Sequence, residues 1–144
     1  MAKPKVCISF DYENDLNYRN TFNLWNNNKN IEFSINDKTP KEIDSYNISR
    51  IKAGLTLKIN ESDVLLIISG KSINTLHKDK VEIGCINWQN WECKKAIDLN
   101  KKIILLKLDT SCEVPIELYG KDRENIIGLE LEKVNGALNN IFVK

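Results

Sequence analysis

Apolar runs and helical stripes take turns along the chain. Residues 5–10 (Lys-Val-Cys-Ile-Ser-Phe) form a short, mostly apolar run that closes at Asp11-Tyr12, and they predict a buried first strand. Residues 16–25 predict a helix with Phe22 and Trp25, three apart, and Leu24 beside them as its apolar side. Asn26, Asn27 and Asn28 stop it. The alternation over residues 31–35 predicts a strand near a sheet edge, followed by a loop over residues 36–40. Ile48, Ile51, Leu55 and Ile59 share one helical face, so residues 49–60 predict a helix that Gly54 weakens slightly. Residues 63–69 are continuously apolar and β-branched after Asp63, the signature of a central strand, and Gly70 ends it. Residues 71–86 show no period and stay unassigned; long connections of this kind are often functional. A helix bearing Trp88 and Glu92 follows, with Asn87 as its cap. A strand over 103–108, a loop over 109–122 with Pro115 and Gly120, and a short strand over 126–131 come next. Val134, Leu138, Ile141 and Phe142 give a terminal helix its stripe.

No internal repeat or linker interrupts this alternation, which predicts one domain over residues 1–144 built from βαβ units, with a mostly parallel sheet and right-handed crossovers. Five strands of this length suggest an α/β, flavodoxin-like three-layer sandwich with strand order 2-1-3-4-5. Ligands in such sheets bind beyond the carboxyl ends of the strands, near the point where the order reverses. That edge would gather Phe10-Asp11-Tyr12, residues 34–37, residues 69–72 and the start of the Trp88/Glu92 helix.

Composition narrows the function. A chain of 144 residues buries roughly two-thirds of its unfolded surface and needs no staple. Twenty-one basic and 20 acidic residues leave a formal charge of +1, which argues against a nucleic-acid partner. Lys94, Lys95, Lys101 and Lys102 form a small basic patch of the kind helix C-termini attract. With no signal peptide and no apolar run near 18 residues, the expectation is a soluble cytoplasmic protein without a membrane partner. Cys7, Cys85, Cys93 and Cys112 match no CxxC spacing and read as reduced packing residues, so no metal is expected. A single histidine, His77, in a polar stretch, gives poor support for a zinc site or a Ser/His/Asp triad.

The candidate chemistry lies in Asn87-Trp88-Gln89-Asn90-Trp91-Glu92. Trp88 and Glu92 are four apart and share a helical face. A lone acid beside a large aromatic, at the mouth of an α/β sheet, suits holding a sugar ring while a bond to it breaks. The competing account of Glu92 is a solvated helix carboxylate. Phe10 and Trp88 are each candidates for stacking on a flat ring or for plain core packing. Asp11 is a candidate for a ribose hydroxyl or an ordinary turn residue.

Several elements in order resemble one family: Met1-Ala2-Lys3 leading to Ser9-Phe10 and Tyr12, Arg19-Asn20 with Asn23-x-Trp25, Ser69-Gly70, Trp88-x-x-x-Glu92-x-x-x-Ala96, and Lys101-Lys102-Ile103-Ile104. Over roughly residues 3–110 they resemble the TIR-like proteins of the Thoeris antiphage system, the ThsB kind. The resemblance implies a TIR-like domain that uses NAD as a substrate rather than a bound cofactor. It cleaves the nicotinamide–ribose bond and makes a cyclic ADP-ribose-type signal, or an ADP-ribose conjugate, that activates a separate effector after a phage-derived trigger. It implies Glu92 as the catalytic glutamate and Phe10 as the pocket aromatic; Ser9, Asp11 and Trp88 complete the expected substrate-binding set. Self-association into a homo-oligomer is compatible with this reading. Asp11 departs from the histidine common after that phenylalanine, and residues 71–87 form a long segment with its own Gly84-Cys85.

Rival readings are weaker. A receiver domain lacks its phosphoacceptor, because the central strand ends Ile68-Ser69-Gly70. A flavodoxin proper lacks a Ser/Thr-rich phosphate loop after the first strand. A nucleoside deoxyribosyltransferase-like enzyme and a non-catalytic TIR-like interaction module remain as alternatives.

Overall fold

A computed structural model describes residues 3–11, 18–36 and 47–142. The expected helix start at Leu16, the turn at Tyr12 and the loop from Asp37 to Pro40 lie outside the described residues. The elements are β1 (Lys5–Ser9), α1 (Tyr18–Asn26), β2 (Ser34–Asn36), α2 (Ile48–Glu61), β3 (Val64–Ser69), α3 (Lys80–Ile83), α4 (Trp88–Asp98), β4 (Lys102–Lys107), a 3-10 turn (Ile116–Leu118), β5 (Glu124–Ile127) and α5 (Leu131–Phe142). Among the described residues the strands form one five-stranded sheet, β2-β1-β3-β4-β5, and every neighbouring pair is parallel. This is the expected flavodoxin-like order, with no antiparallel strand.

Strand alternation sorts the core into two layers. Val6 and Ile8 of β1, Val64, Leu66 and Ile68 of β3, and Ile104 and Leu106 of β4 face α1 and α5, where Phe22, Trp25, Val134 and Leu138 cover them. Cys7, Leu65, Ile67, Ile103 and Leu105 face the other way and meet Ile59 of α2 and Cys93 and Ala96 of α4. A third cluster ties α2 to α3 and α4 through Ile51, Leu55, Ile83 and Trp91. Because both faces of β3 are covered, every one of its six residues is buried, which is why its sequence is apolar from Val64 to Ile68.

Two boundaries differ from the sequence expectation. In residues 31–35 only Ser34 and Ile35 pair as strand. Ile31 and Phe33 are buried ahead of β2, with Phe33 edge-on to Trp25 at 6.4 Å between ring centroids, so the alternation there records plugging of the core and not ladder pairing. The last strand begins two residues before Ile126 and ends at Ile127, because Gly128 turns the chain at φ +96°. Residues 71–86 are mostly turns, with the one short helix α3. Two expected core residues face out: Leu24 is 71% exposed and Phe142 is 48% exposed. Among the described residues no helix is long and apolar enough to cross a membrane.

Leu65→Ala, which opens a cavity under both helical layers' anchor strand, is expected to cost about 2–5 kcal/mol in chemical denaturation. Leu24→Ala, on the exposed side of α1, is expected to stay within about 0.5 kcal/mol of the parent.

Candidate active site

The site is built from the carboxyl ends of β1 and β3 and one face of α4. Asn87 starts α4 as expected: its side chain accepts from the Asn90 amide at 2.9 Å. The same side chain donates to the Ile73 carbonyl at 2.7 Å and to the Thr75 carbonyl at 3.0 Å, so the cap also holds the connection that follows β3. Asn90 is fully buried. Its Nδ2 donates to the Ile73 carbonyl and Asn74 Oδ1, and its Oδ1 accepts from the Glu117 amide at 3.1 Å. Asn74 in turn donates to the Val114 carbonyl at 3.0 Å and accepts from the Ile116 amide. These amides pin the loops after β3 and β4 onto the first turn of α4 and leave the helix little freedom to slide.

Gln89 and Glu92, three apart, face the sheet edge from α4. Gln89 donates to the Ser9 carbonyl at 3.3 Å and the Ile68 carbonyl at 2.9 Å, and so spans the ends of β1 and β3. In this strand order β1 and β3 flank the point where the chain reverses direction across the sheet, the place where open α/β sheets take ligands. Glu92 lies at that point. Its Oε1 accepts from Ser9 Oγ at 2.9 Å, and its Oε2 pairs with Lys58 Nζ at 2.7 Å. Lys58 also donates to the Ile8 carbonyl at 3.4 Å. Glu92 is 2% exposed and Lys58 3%, so the pair is almost dry.

The expected site residues separate. Ser9 and Glu92 meet directly. Phe10, next along β1, packs edge-on against Phe22 at 5.4 Å in the layer of α1 and α5, while Ser9 and Glu92 belong to the layer of α2 and α4. Asp11 is half-buried just beyond. Trp88 is half-buried and stacks edge-on to Trp91 at 5.8 Å, beside the α2–α3 cluster. The residue that joins Glu92 at the sheet edge is Gln89.

Lys58, Gln89 and Asn90 were not anticipated. Lys58 had a legible signal, since it stands three past Leu55 and seven past Ile51, on the apolar stripe of α2. That lysine interacts with Glu92 more strongly than the end of α4 does. Glu92 is the fifth residue of the helix, where the dipole's influence has largely faded, whereas a hydrogen bond to a charged group contributes about 1.5–3 kcal/mol.

The chain matches the family model described as Thoeris protein ThsB, TIR-like domain, over residues 7–113. It belongs to that family. The match takes in Ser9, Lys58, Gln89 and Glu92, and β5 and α5 lie beyond it. No curated protein matches the chain. The family identity makes the chain a TIR-like protein of the Thoeris antiphage defence system.

Two other features bear on the site. A surface depression of about 370 Å³ lies between the end of α1 and the start of α5, and its charged lining residues are Glu130 and Glu132. Those carboxylates would repel the phosphates of a dinucleotide, and none of its lining residues belongs to the Glu92 cluster. Among the described residues no group of three or more His, Cys, Asp or Glu side chains is arranged to hold a metal.

The thiols behave as packing groups. Burial pushes Cys7 up to about 11, against the pull of nearby Lys58, and burial pushes Cys93 well above its ordinary value. A thiol raised in the folded state holds its proton longer there than in the unfolded chain. The stability this contributes is fully present below about pH 9 and is lost as pH rises through about 11. Denaturation midpoints are therefore expected to fall from pH 9 upward. A disulfide-exchange reagent at pH 8 is expected to label half-buried Cys85 first and Cys7 and Cys93 only on unfolding.

Lys58→Met strands a buried carboxylate and is expected to cost about 3–5 kcal/mol. Lys58→Met with Glu92→Gln removes both charges and is expected to recover most of that loss in the same urea titration.

Proposed function

We propose that this TIR-like protein cleaves NAD at the nicotinamide–ribose bond and converts the ADP-ribose portion into a cyclic ADP-ribose-type signal, or a conjugate of it, that activates a separate effector protein. The observation that carries the reading is the Glu92 carboxylate, ion-paired and almost dry, at the split between the ends of β1 and β3.

The chemistry follows from what that carboxylate offers. Breaking the bond to nicotinamide leaves positive charge on the ribose, as in the oxocarbenium-like transition state of glycoside cleavage. A fixed carboxylate interacts more strongly with that charge as it grows, and only such growing interactions raise the rate. Nicotinamide departs as a neutral ring, so no general acid is needed and one carboxylate suffices. Ser9 and Lys58 use one direction on each carboxylate oxygen. A carboxylate accepts from about four directions, so two remain for ribose hydroxyls. Reaching them requires the groups that cover Glu92 to open, which fits an enzyme awaiting a phage-derived trigger. Asp11 and Trp88, both partly exposed, are the ribose and ring contacts of this reading, and Phe10 packs in the opposite layer. A cyclic product needs the bound dinucleotide folded so that its own nucleophile reaches the ribose before water does. The reaction takes place in the cytoplasm and calls for no bound cofactor.

A second reading has an observation in its favour. A buried Lys–Glu pair is also what a purely structural ion pair looks like, and a non-catalytic TIR-like module would carry one. The two readings part at Glu92→Gln. In phage-infected cells, wild-type protein is expected to lower NAD and produce a new nucleotide. Glu92→Gln, at equal folded abundance, is expected to yield none. Equal product from the two would remove Glu92 from the catalytic role, and infected cells in which the wild-type protein lowers no NAD would leave the interaction module.

A further inference from the structure

We propose that Lys58 is a positioning residue for this reaction: its ammonium is the counter-charge that holds the Glu92 carboxylate aimed at the β1–β3 split. This rests on the proposed role of Glu92.

The argument begins with where Lys58 stands. Ile51, Leu55 and Ile59 are the buried stripe of α2, and Lys58 is buried with them. A methionine or leucine there would fill the space without the desolvation penalty of an ammonium, and buried ion pairs are often no more stable than such replacements. Packing alone therefore gives no reason for a lysine.

The geometry supplies one. A carboxylate taken out of water without a cation partner is costly, and a cation beside it offsets that cost and fixes the direction in which the acid is held. The Nζ at 2.7 Å from Oε2 is that cation. The same Nζ reaches the Ile8 carbonyl while Ser9 Oγ takes the other carboxylate oxygen, so both contacts tie the acid to the last two residues of β1. Gln89 fixes the helix to the Ser9 carbonyl from the next position. Glu92 is thus held from α2 and from β1 while its own helix is clamped to the sheet, and only Lys58 provides charge as well as direction.

The test compares Lys58→Arg, Lys58→Gln and Lys58→Met with wild type and Glu92→Gln in phage-infected cells. NAD loss and the new nucleotide are followed by mass spectrometry and normalised to folded protein. Lys58→Met and Lys58→Gln are expected to lower product by about tenfold or more, by analogy with the loss when a residue that orients a metal ligand is removed. Lys58→Arg, which restores the charge, is expected to retain most of it. Gln keeps a donor without charge, so the Arg/Gln contrast reads charge and not packing. Wild-type product from Lys58→Gln or Lys58→Met, with Glu92→Gln empty, overturns the role of Lys58 and leaves the role of Glu92 standing. Full product from Glu92→Gln overturns both. If neither neutral variant accumulates, Lys58→Arg decides alone: retained product supports the proposal, and folded protein without product overturns it.

Discussion

Lys58 and Glu92 meet at 2.7 Å with almost no solvent between them and the core, and much of the molecule's arrangement answers to that contact. Two opposite charges taken out of water must stay together, because either one alone would be far costlier than the pair. One charge belongs to α2 and the other to α4. The pairing therefore sets how these two helices sit on the same face of the sheet, and Ser9 sets where along β1 they do so. An apolar contact would tolerate a shift of an ångström between helices. A charged hydrogen bond in a dry setting tolerates much less.

The asparagines around α4 serve the same constraint. Asn87, Asn90 and Asn74 share donors and acceptors with five backbone groups in the loops after β3 and β4. Those loops have little regular structure of their own and would otherwise leave buried amides and carbonyls without partners. The amide side chains satisfy them and at the same time set the height of α4 against the sheet. A residue type abundant enough to look like compositional bias is, in this region, the means by which irregular backbone is made rigid.

How far the sequence could be read depended on whether a signal was local. The strand β3 and the stripe of α2 were legible because burial on both faces, or on one, leaves a period in the residues themselves. The first strand was legible as a strand, but its alternation also sends Ser9 and Phe10 to opposite layers. The pair therefore does not form one pocket element. Leu24 looked apolar by composition and lies outside the stripe set by Phe22 and Trp25. Phe33 belongs to the core through a loop, so the alternation that marks it as inward does not mark a strand. Lys58 stands on a legible apolar stripe, but a lysine there gains meaning only when its partner, 34 residues on, is placed against it. The order of the sheet came from the alternation of element types, which spans the whole chain and survives errors of two or three residues at every boundary.

The three side chains of the cluster come from distant stretches of chain: Ser9 and Glu92 are 83 residues apart, and Lys58 lies between them. During synthesis the hydroxyl and the ammonium are made well before the carboxylate emerges. They come together only after β1 and β3 are aligned and both helices have docked. A nascent or partly opened chain therefore has no assembled cluster. Whatever this group of residues does in the cell is reserved for molecules that have completed their fold.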